Sequence, residues 1–258
     1  MSTFLFEGIV FGPVKSRRLG NSLGINLLPE GKKICTFNCI YCECGWNSED
    51  TSNLQWSSVD QVADQLREKI QELVSKRVAI DTITFAGNGE PTMHPMFPHI
   101  TDRVIEIRNR FLPESKIAVL SNATLIFKPD VRQALQKVDL NILKLDSAIE
   151  STCRLLNQPT GYFNLRNTIE QLKQFEGRCI IQTMFVRGQF NQQAFDNTTP
   201  AELQAWLQAI KEIAPSYVMI YTIARDTPAE QIQRISAEEL KRIAALAQRE
   251  GIHVIMAE

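Results

Sequence analysis

Short apolar runs alternate along the chain with longer segments whose apolar residues recur every three or four positions. The runs Ser22–Leu28, Thr82–Ala86, Ile117–Leu120, Asn141–Leu145, Cys179–Val186 and Tyr217–Tyr221 are rich in Ile, Leu, Val and Phe. Strands buried on both faces have this pattern. Helices with legible starts lie between them. Ser58-Val-Asp-Gln61 is a capping box ahead of the stripe Val59, Val62, Ala63, Leu66, Ile70 and Leu73. Thr199-Pro-Ala-Glu202 places Pro200 at the first helical position before Leu203, Trp206, Leu207 and Ile210. Ser236-Ala-Glu-Glu239 is a second capping box, opening Leu240, Ile243, Ala244 and Ala247. Further helices are predicted over Met96–Arg110, Asp130–Lys137 and Asn164–Phe175, and a short strand over His253–Met256.

Repeated strand–helix alternation predicts parallel βαβ units, which coil right-handedly into a barrel or open into a doubly wound sheet. Six units are too few for a closed eight-stranded barrel. The expected fold is therefore an α/β partial (β/α)6 barrel over a single domain, residues 1–258, with a Rossmann-like sheet as the alternative. In either fold the chemistry belongs at the C-terminal strand ends. The connection from Pro29 to Trp56 is unusually long for a compact domain, a length typical of functional loops.

Composition narrows the picture. A chain of 258 residues with 44% hydrophobic and 22% charged residues reads as an ordinary globular protein. Its formal net charge of −1 provides no global basic footprint, so nucleic acid is a possible partner but not a favoured one. Met1–Val14 carries Glu7 and no basic leader, so it does not read as a signal peptide. With no run of 18 apolar residues, no membrane span is predicted and a cytoplasmic location is expected. Cys35, Cys39, Cys42 and Cys44 crowd the long loop, while Cys153 and Cys179 stand alone in helix and strand patterns, where packing is the default role. Clustered cysteines in such a chain point to a metal or redox centre. Cys35-Thr-Phe-Asn-Cys39-Ile-Tyr-Cys42 brings three soft ligands within reach of one centre, which could be an iron–sulfur cluster with one iron left open. A tetrathiolate zinc site using Cys44 as fourth ligand is the alternative.

This C-x3-C-x2-C triad, with an aromatic before its last cysteine and a strand before it, resembles the radical S-adenosylmethionine (radical SAM) superfamily. Gly87-Asn-Gly-Glu90-Pro-Thr92 after the second strand is similar to that family's Gly-Gly-Glu motif, with Asn88 where Gly is commoner. Leu120-Ser-Asn-Ala-Thr-Leu125 and Leu143-Lys-Leu-Asp146 end the next two strands, as in many members. Gly12-Pro-Val-Lys-Ser-Arg-Arg-Leu-Gly20 resembles a subgroup of iron–sulfur oxidoreductases near the wyosine-tRNA synthases. The resemblance implies that Cys35, Cys39 and Cys42 hold a [4Fe–4S] cluster whose fourth iron is chelated by SAM. The reduced cluster would cleave SAM to methionine and a 5′-deoxyadenosyl radical that abstracts a substrate hydrogen, with electrons from a flavodoxin- or ferredoxin-type donor. It further implies that Tyr41 lies beside the adenine and that Gly87, Asn88, Gly89 and Glu90 receive the methionyl ammonium. Ser121 and Asn122 would bond the ribose or carboxylate, and Gln182, Thr183 and Tyr221 would flank SAM or substrate.

Bland readings compete at several positions. Glu90 before Pro91 could be a turn residue. Lys144 and Asp146 could be a strand-end ion pair or could face a substrate cavity. Arg17 and Arg18, beside Lys15, could bind a substrate phosphate or carboxylate or form a solvated surface; Arg187 and Arg225 are weaker candidates of the same kind. His94 and His99 read as polar helix-end residues. No second C-x2-C suggests an auxiliary cluster. The leading expectation is an enzyme acting on a small anionic molecule, with Lys144, Asp146, Arg17 and Arg18 on the substrate side. A tRNA-base modifier, a glycyl-radical activase and a zinc-binding interaction module are the alternatives.

Overall fold

A computed structural model describes residues 4–257, so the first three residues of the Met1–Val14 stretch and the final residue lie outside the described residues. Eight strands form the main sheet: β1 (Val10–Ser16), β2 (Gly20–Ile25), β3 (Thr82–Phe85), β4 (Lys116–Ser121), β5 (Leu140–Lys144), β6 (Ile180–Met184), β9 (Tyr217–Tyr221) and β11 (Val254–Ala257). From β2 to β11 all neighbours run parallel, and β1 adds an antiparallel edge. Seven helices connect them: α1 (Val59–Ser75), α2 (Phe97–Phe111), α3 (Pro129–Lys137), α4 (Glu150–Asn157), α5 (Leu165–Lys173), α6 (Pro200–Ile213) and α7 (Ala237–Arg249).

The sheet curls. In a flat sheet β2 and β9, five steps apart, would be separated by about 24 Å. Yet Leu19, at the entry to β2, packs with Met219 of β9 in one buried cluster, and the Arg18 guanidinium lies 4.5 Å from the centre of the Tyr221 ring. The two faces of the curl carry separate cores. Inside, Leu19, Ala118, Ile142, Ile180 and Met219 form a floor. Outside, the alternate residues Ile83, Phe85, Val119, Leu143, Ile181 and Ile220 meet the apolar stripes of the helices, Leu66, Val104 and Trp206 among them. This is the partial barrel that the alternation predicts, with the final strand in place.

Several expectations need correction. The run Cys179–Val186 is not one strand. β6 ends at Met184, and Val186 begins β7 (Val186–Phe190), which pairs with β8 (Gln193–Asp196) and β10 (Ile232–Arg234) in a second, antiparallel sheet. Asn197 marks the switch, its Oδ1 accepting the Val186 N–H (2.8 Å) and its Nδ2 donating to the Asp146 and Met184 carbonyls (both 2.8 Å). The Ser58 box forms in full, whereas Ser236 caps Glu239 N–H in one direction only. The Glu239 carboxylate pairs with Arg187 instead. Glu202, likewise, turns from its own helix start to accept from Ser147 Oγ (2.6 Å). No helix among the described residues is long and apolar enough to cross a membrane.

Candidate active site

The cysteine loop has almost no regular structure, so its backbone groups must find partners elsewhere. Ile34 N–H donates to the Asn88 carbonyl (2.9 Å) and the Ile34 carbonyl accepts from Glu90 N–H (3.2 Å), which joins the loop to the segment after β3. That approach explains Gly89: at φ +140° a Cβ would run into the Ile34 carbonyl. On the other side, Asn38 and Ile40 donate backbone N–H groups to the carbonyls of Asn157 (2.9 Å) and Leu156 (3.0 Å) at the end of α4.

These contacts set the loop over the C-terminal ends of the strands and enclose a cavity of about 160 Å³. Cys35, Cys39 and Cys42 line it together with Lys33, Tyr41, Glu90 and Lys144. Burial pushes the Cys35 thiol up to about 12, with the neighbouring charges of Glu90 and Cys39 adding to the effect, and pushes Cys39 up to about 11. Cys42 is held below the ordinary thiol range by its contact with Cys44 and by Lys33. Asn122 Nδ2 (3.4 Å) and the Phe37 N–H (3.5 Å) both point at the Cys35 sulfur. Three soft sulfurs lining one cavity, supplied with donors and a lysine, are a donor set that fits an iron–sulfur cluster, whose charge would stabilise the thiolates that burial disfavours. Cys44 is absent from the cavity wall; its thiol donates to the Gly87 carbonyl (3.4 Å).

Glu90 lines the same cavity and is only 2% exposed. Its Oε1 accepts from Thr92 N–H (3.1 Å), Thr92 Oγ (2.5 Å) and Ser121 Oγ (2.8 Å), and its Oε2 from Asn122 N–H (2.7 Å). Every partner is neutral. Burial raises its pKa above the usual carboxylate value, and the hydrogen bonds oppose that rise. Glu90 is thus both the cap of the short 3₁₀ turn Pro91–Met93 and a buried carboxylate without a cation among the described residues, suited to a ligand ammonium.

A second polar unit closes the cavity. Tyr41 donates to Asp146, Lys144 Nζ reaches Tyr41 Oη (2.6 Å) and Asp146 Oδ2 (3.1 Å), and Met184 N–H donates to Asp146 Oδ1 (3.0 Å). Burial alone would pull the Lys144 ammonium down, but the Asp146 carboxylate and other neighbouring groups outweigh it and hold the lysine above its ordinary range. Burial and the adjacent Asp146 charge raise Tyr41 well above a free phenol.

The sequence profile of the radical SAM superfamily matches residues 32–197, the segment that builds this cavity. The chain belongs to the radical SAM superfamily. It is an enzyme, and the cofactors of its superfamily are a [4Fe–4S] cluster and SAM. It is 31% identical over 238 residues to the GTPase Obg of Brachyspira hyodysenteriae (strain ATCC 49526 / WA1), covering 90% of this chain and 32% of that protein. To UPF0026 protein MJ1312 of Methanocaldococcus jannaschii it is 30% identical over 244 residues, covering 92% of this chain and 70% of the relative. Its fold matches a radical SAM methyltransferase from Sphaerobacter thermophilus with a TM-score of 0.66 at 13% identity, over 91% of this chain and 65% of that one. The chain thus spans about a third of the first relative's length.

In this radical SAM protein the structure brings together on the cavity wall Cys35, Cys39, Cys42, Tyr41, Gly87, Gly89, Glu90, Ser121, Asn122, Lys144 and Gln182. Others lie elsewhere. Thr183 alternates with Gln182 and therefore faces outward, donating to the Leu145 carbonyl (2.7 Å) and accepting from Trp206 Nε1 (2.9 Å). Asn88 spends its side chain on the N-terminal segment, accepting from Phe6 N–H (2.8 Å) and donating to the Phe6 carbonyl (2.9 Å). Asp146 is not part of the cavity lining and lies buried behind Tyr41 and Lys144, bonded to both. Tyr221 stands beyond Gln182, whose Nε2 donates to its hydroxyl (2.7 Å). Arg17 is exposed at the β1–β2 turn, apart from the cavity. His94 ends the short 3₁₀ turn, its Nδ1 accepting from Met96 N–H (3.1 Å) and its Nε2 reaching the Ser57 carbonyl (3.0 Å).

Two contributors escape a reading of the sequence. Lys33 is 3% exposed and donates to the Gly45 carbonyl (2.7 Å) beside the thiols. Asn157 Oδ1 accepts from Cys39 Sγ (3.3 Å) and lies 3.3 Å from Tyr41 Oη, whose proton goes to Asp146. The position of Lys33 two residues before Cys35 is the signal that was available for it; Asn157 had none.

Proposed function

We propose that this protein is a cytoplasmic oxidoreductase that holds a [4Fe–4S] cluster on Cys35, Cys39 and Cys42, cleaves SAM reductively and removes a hydrogen atom from a small anionic molecule. The observation that carries the reading is one cavity lined by three thiols and by the Glu90 carboxylate, which has no cation partner among the described residues. When bound, the cluster and SAM supply a 5′-deoxyadenosyl radical. The chain's own residues do the rest. Glu90 receives the ammonium of SAM, Ser121 holds the Glu90 carboxylate in place, and Asn122 braces both Glu90 and Cys35. Tyr41, pinned by Asp146 and Lys144, walls the adenine side and excludes water. A flavodoxin- or ferredoxin-type protein would deliver the electron.

Anaerobic reconstitution tests this. Wild type should take up roughly four irons with visible charge-transfer absorption. Cys35→Ala, Cys39→Ala and Cys42→Ala should each abolish that uptake, and Cys44→Ala should retain it. Zinc in place of iron, lost equally in Cys44→Ala, would make this a tetrathiolate zinc protein. Binding of bulk tRNA that weakens steeply with salt would shift the substrate reading to a tRNA base.

A further inference from the structure

Arg18 is a cation inside the half-barrel that the cofactor site does not use. Ser16 Oγ accepts the backbone N–H groups of Arg18 (3.3 Å) and Leu19 (3.2 Å), which shapes the turn between β1 and β2. Leu19 enters the floor, and the Arg18 side chain reaches the Tyr221 ring on the far side of the curl. The guanidinium carbon lies over that ring, a cation–π contact that takes up none of the guanidinium N–H donors. Nη1 is buried with no hydrogen-bond partner, and Arg18 forms no ion pair among the described residues. A buried donor of this kind is rare in native folds and calls for a partner.

The surroundings say what kind. Tyr221 Oη accepts from Gln182, which leaves its own proton to donate. Lys144 has three donors, two of them committed to Tyr41 and Asp146. The nearby carboxylate, Asp146, already accepts from Tyr41, Lys144 and the Met184 N–H. The wall from Lys144 through Gln182 and Tyr221 to Arg18 therefore offers hydrogen-bond donors and positive charge, with its acidic group already occupied.

We propose that Arg18 anchors an oxyanion of the substrate, a carboxylate or a phosphate, and so sets which molecules enter the half-barrel. The rest of the molecule then lies beside Gln182 and Lys144 in the cofactor cavity. The inference rests on reading that cavity as the place of catalysis, but the anion site itself does not depend on SAM. It also separates two adjacent arginines, because Arg17 points to solvent.

The test uses the full chain purified without oxygen, titrated with acetate or with inorganic phosphate at constant ionic strength, and followed by calorimetry and thermal unfolding. Wild type should bind one of the two anions and gain thermal stability from it. Arg18→Gln should weaken that binding about ten-fold or more, the effect of losing a charge-assisted hydrogen bond to an ion. Arg18→Lys should retain only part of it, because an ammonium lacks the planar fork. Arg17→Gln should respond as wild type does. Preference for acetate marks a carboxylate substrate and preference for phosphate a phosphorylated one. The proposal is overturned if wild type responds to neither anion, if Arg18→Gln keeps the wild-type response, or if Arg17→Gln loses it as fully. Should Arg18→Gln fail to fold, Arg18→Lys decides: a weakened response supports the anchor and an unchanged one overturns it. SAM titration of the same preparation separates the two readings, since loss of SAM binding with an intact Arg18-dependent anion response would remove the radical reading alone.

Discussion

The inner face of the half-barrel has two layers built from the same strands. The floor is Leu19, Ala118, Ile142, Ile180 and Met219. Two residues further along β5, β6 and β9, about 6–7 Å up the strands, the inward positions become Lys144, Gln182 and Tyr221. The lower layer is close-packed and apolar and resists unfolding. The upper layer buries an ion pair and a phenol, and the same cavity holds the buried carboxylate of Glu90, all of which are costly away from water unless partnered. One strand step thus separates a layer that stabilises the protein from a layer held ready for a ligand. The last inward residue of each strand is where this fold places chemistry.

The largest effect should come from breaking the partnership in the upper layer. Lys144→Met leaves the Asp146 carboxylate, fully buried, without its cation, and should destabilise the protein by about 3–5 kcal/mol in urea unfolding. Adding Asp146→Asn should recover part of the loss; no recovery would mean that packing, not charge, governs this layer. In the floor, Ile180→Ala should cost about 3 kcal/mol through the cavity it opens. Iron content and SAM affinity should stay at wild-type values, and a matching fall in SAM affinity would show that the layers are not separable.

Glu90→Gln sharpens the contrast from the ligand side. It should weaken SAM binding ten- to a hundred-fold, about 1.5–3 kcal/mol, while the cluster still assembles. Unchanged affinity in a SAM titration would reduce Glu90 to the turn residue it also is. The smallest effect concerns His94, which caps the turn that follows Glu90. Burial lowers its pKa below the ordinary 6.5, so the folded state binds its proton less readily than the unfolded chain. The stability from this group is present in full above about 6.5 and is lost as pH falls through the depressed folded value. His94→Gln should flatten that part of the stability–pH curve, measured as urea midpoints; an unaltered slope would assign the acid sensitivity to other groups.

The buried strands and the cysteine–glutamate core of the site were legible because their signals are local. Strands covered on both faces leave unbroken apolar runs, and metal-binding thiols leave spacing. Orientation was harder to read. Gln182 and Thr183 are adjacent polar residues in one strand, and period-two geometry sends only one of them inward. The indole of Trp206, waiting on α6, takes Thr183. Arg17 and Arg18 present the same ambiguity, resolved by the Ser16 hydroxyl that shapes the turn. Lys33 follows another lysine with no apolar pattern to mark it, and the loop folded onto Gly45 buries it. The β7–β8 hairpin went unseen because it is largely exposed and lacks a strong apolar run. Asn191 and Gln192, both at positive φ (49° and 63°), form its turn, and Asn191 was the available clue.

The placement of Leu19 also bears on how the chain assembles. A residue of the β1–β2 turn joins a cluster whose other members include Ile180 and Met219. Contacts so distant in sequence form slowly, because a long loop must be ordered before any contact rewards it. The cluster around Leu19 is complete only when Met219 of β9 has joined Ala118, Ile142 and Ile180. The floor of the catalytic chamber is therefore finished late, and until then Arg18 has no Tyr221 ring on which to rest.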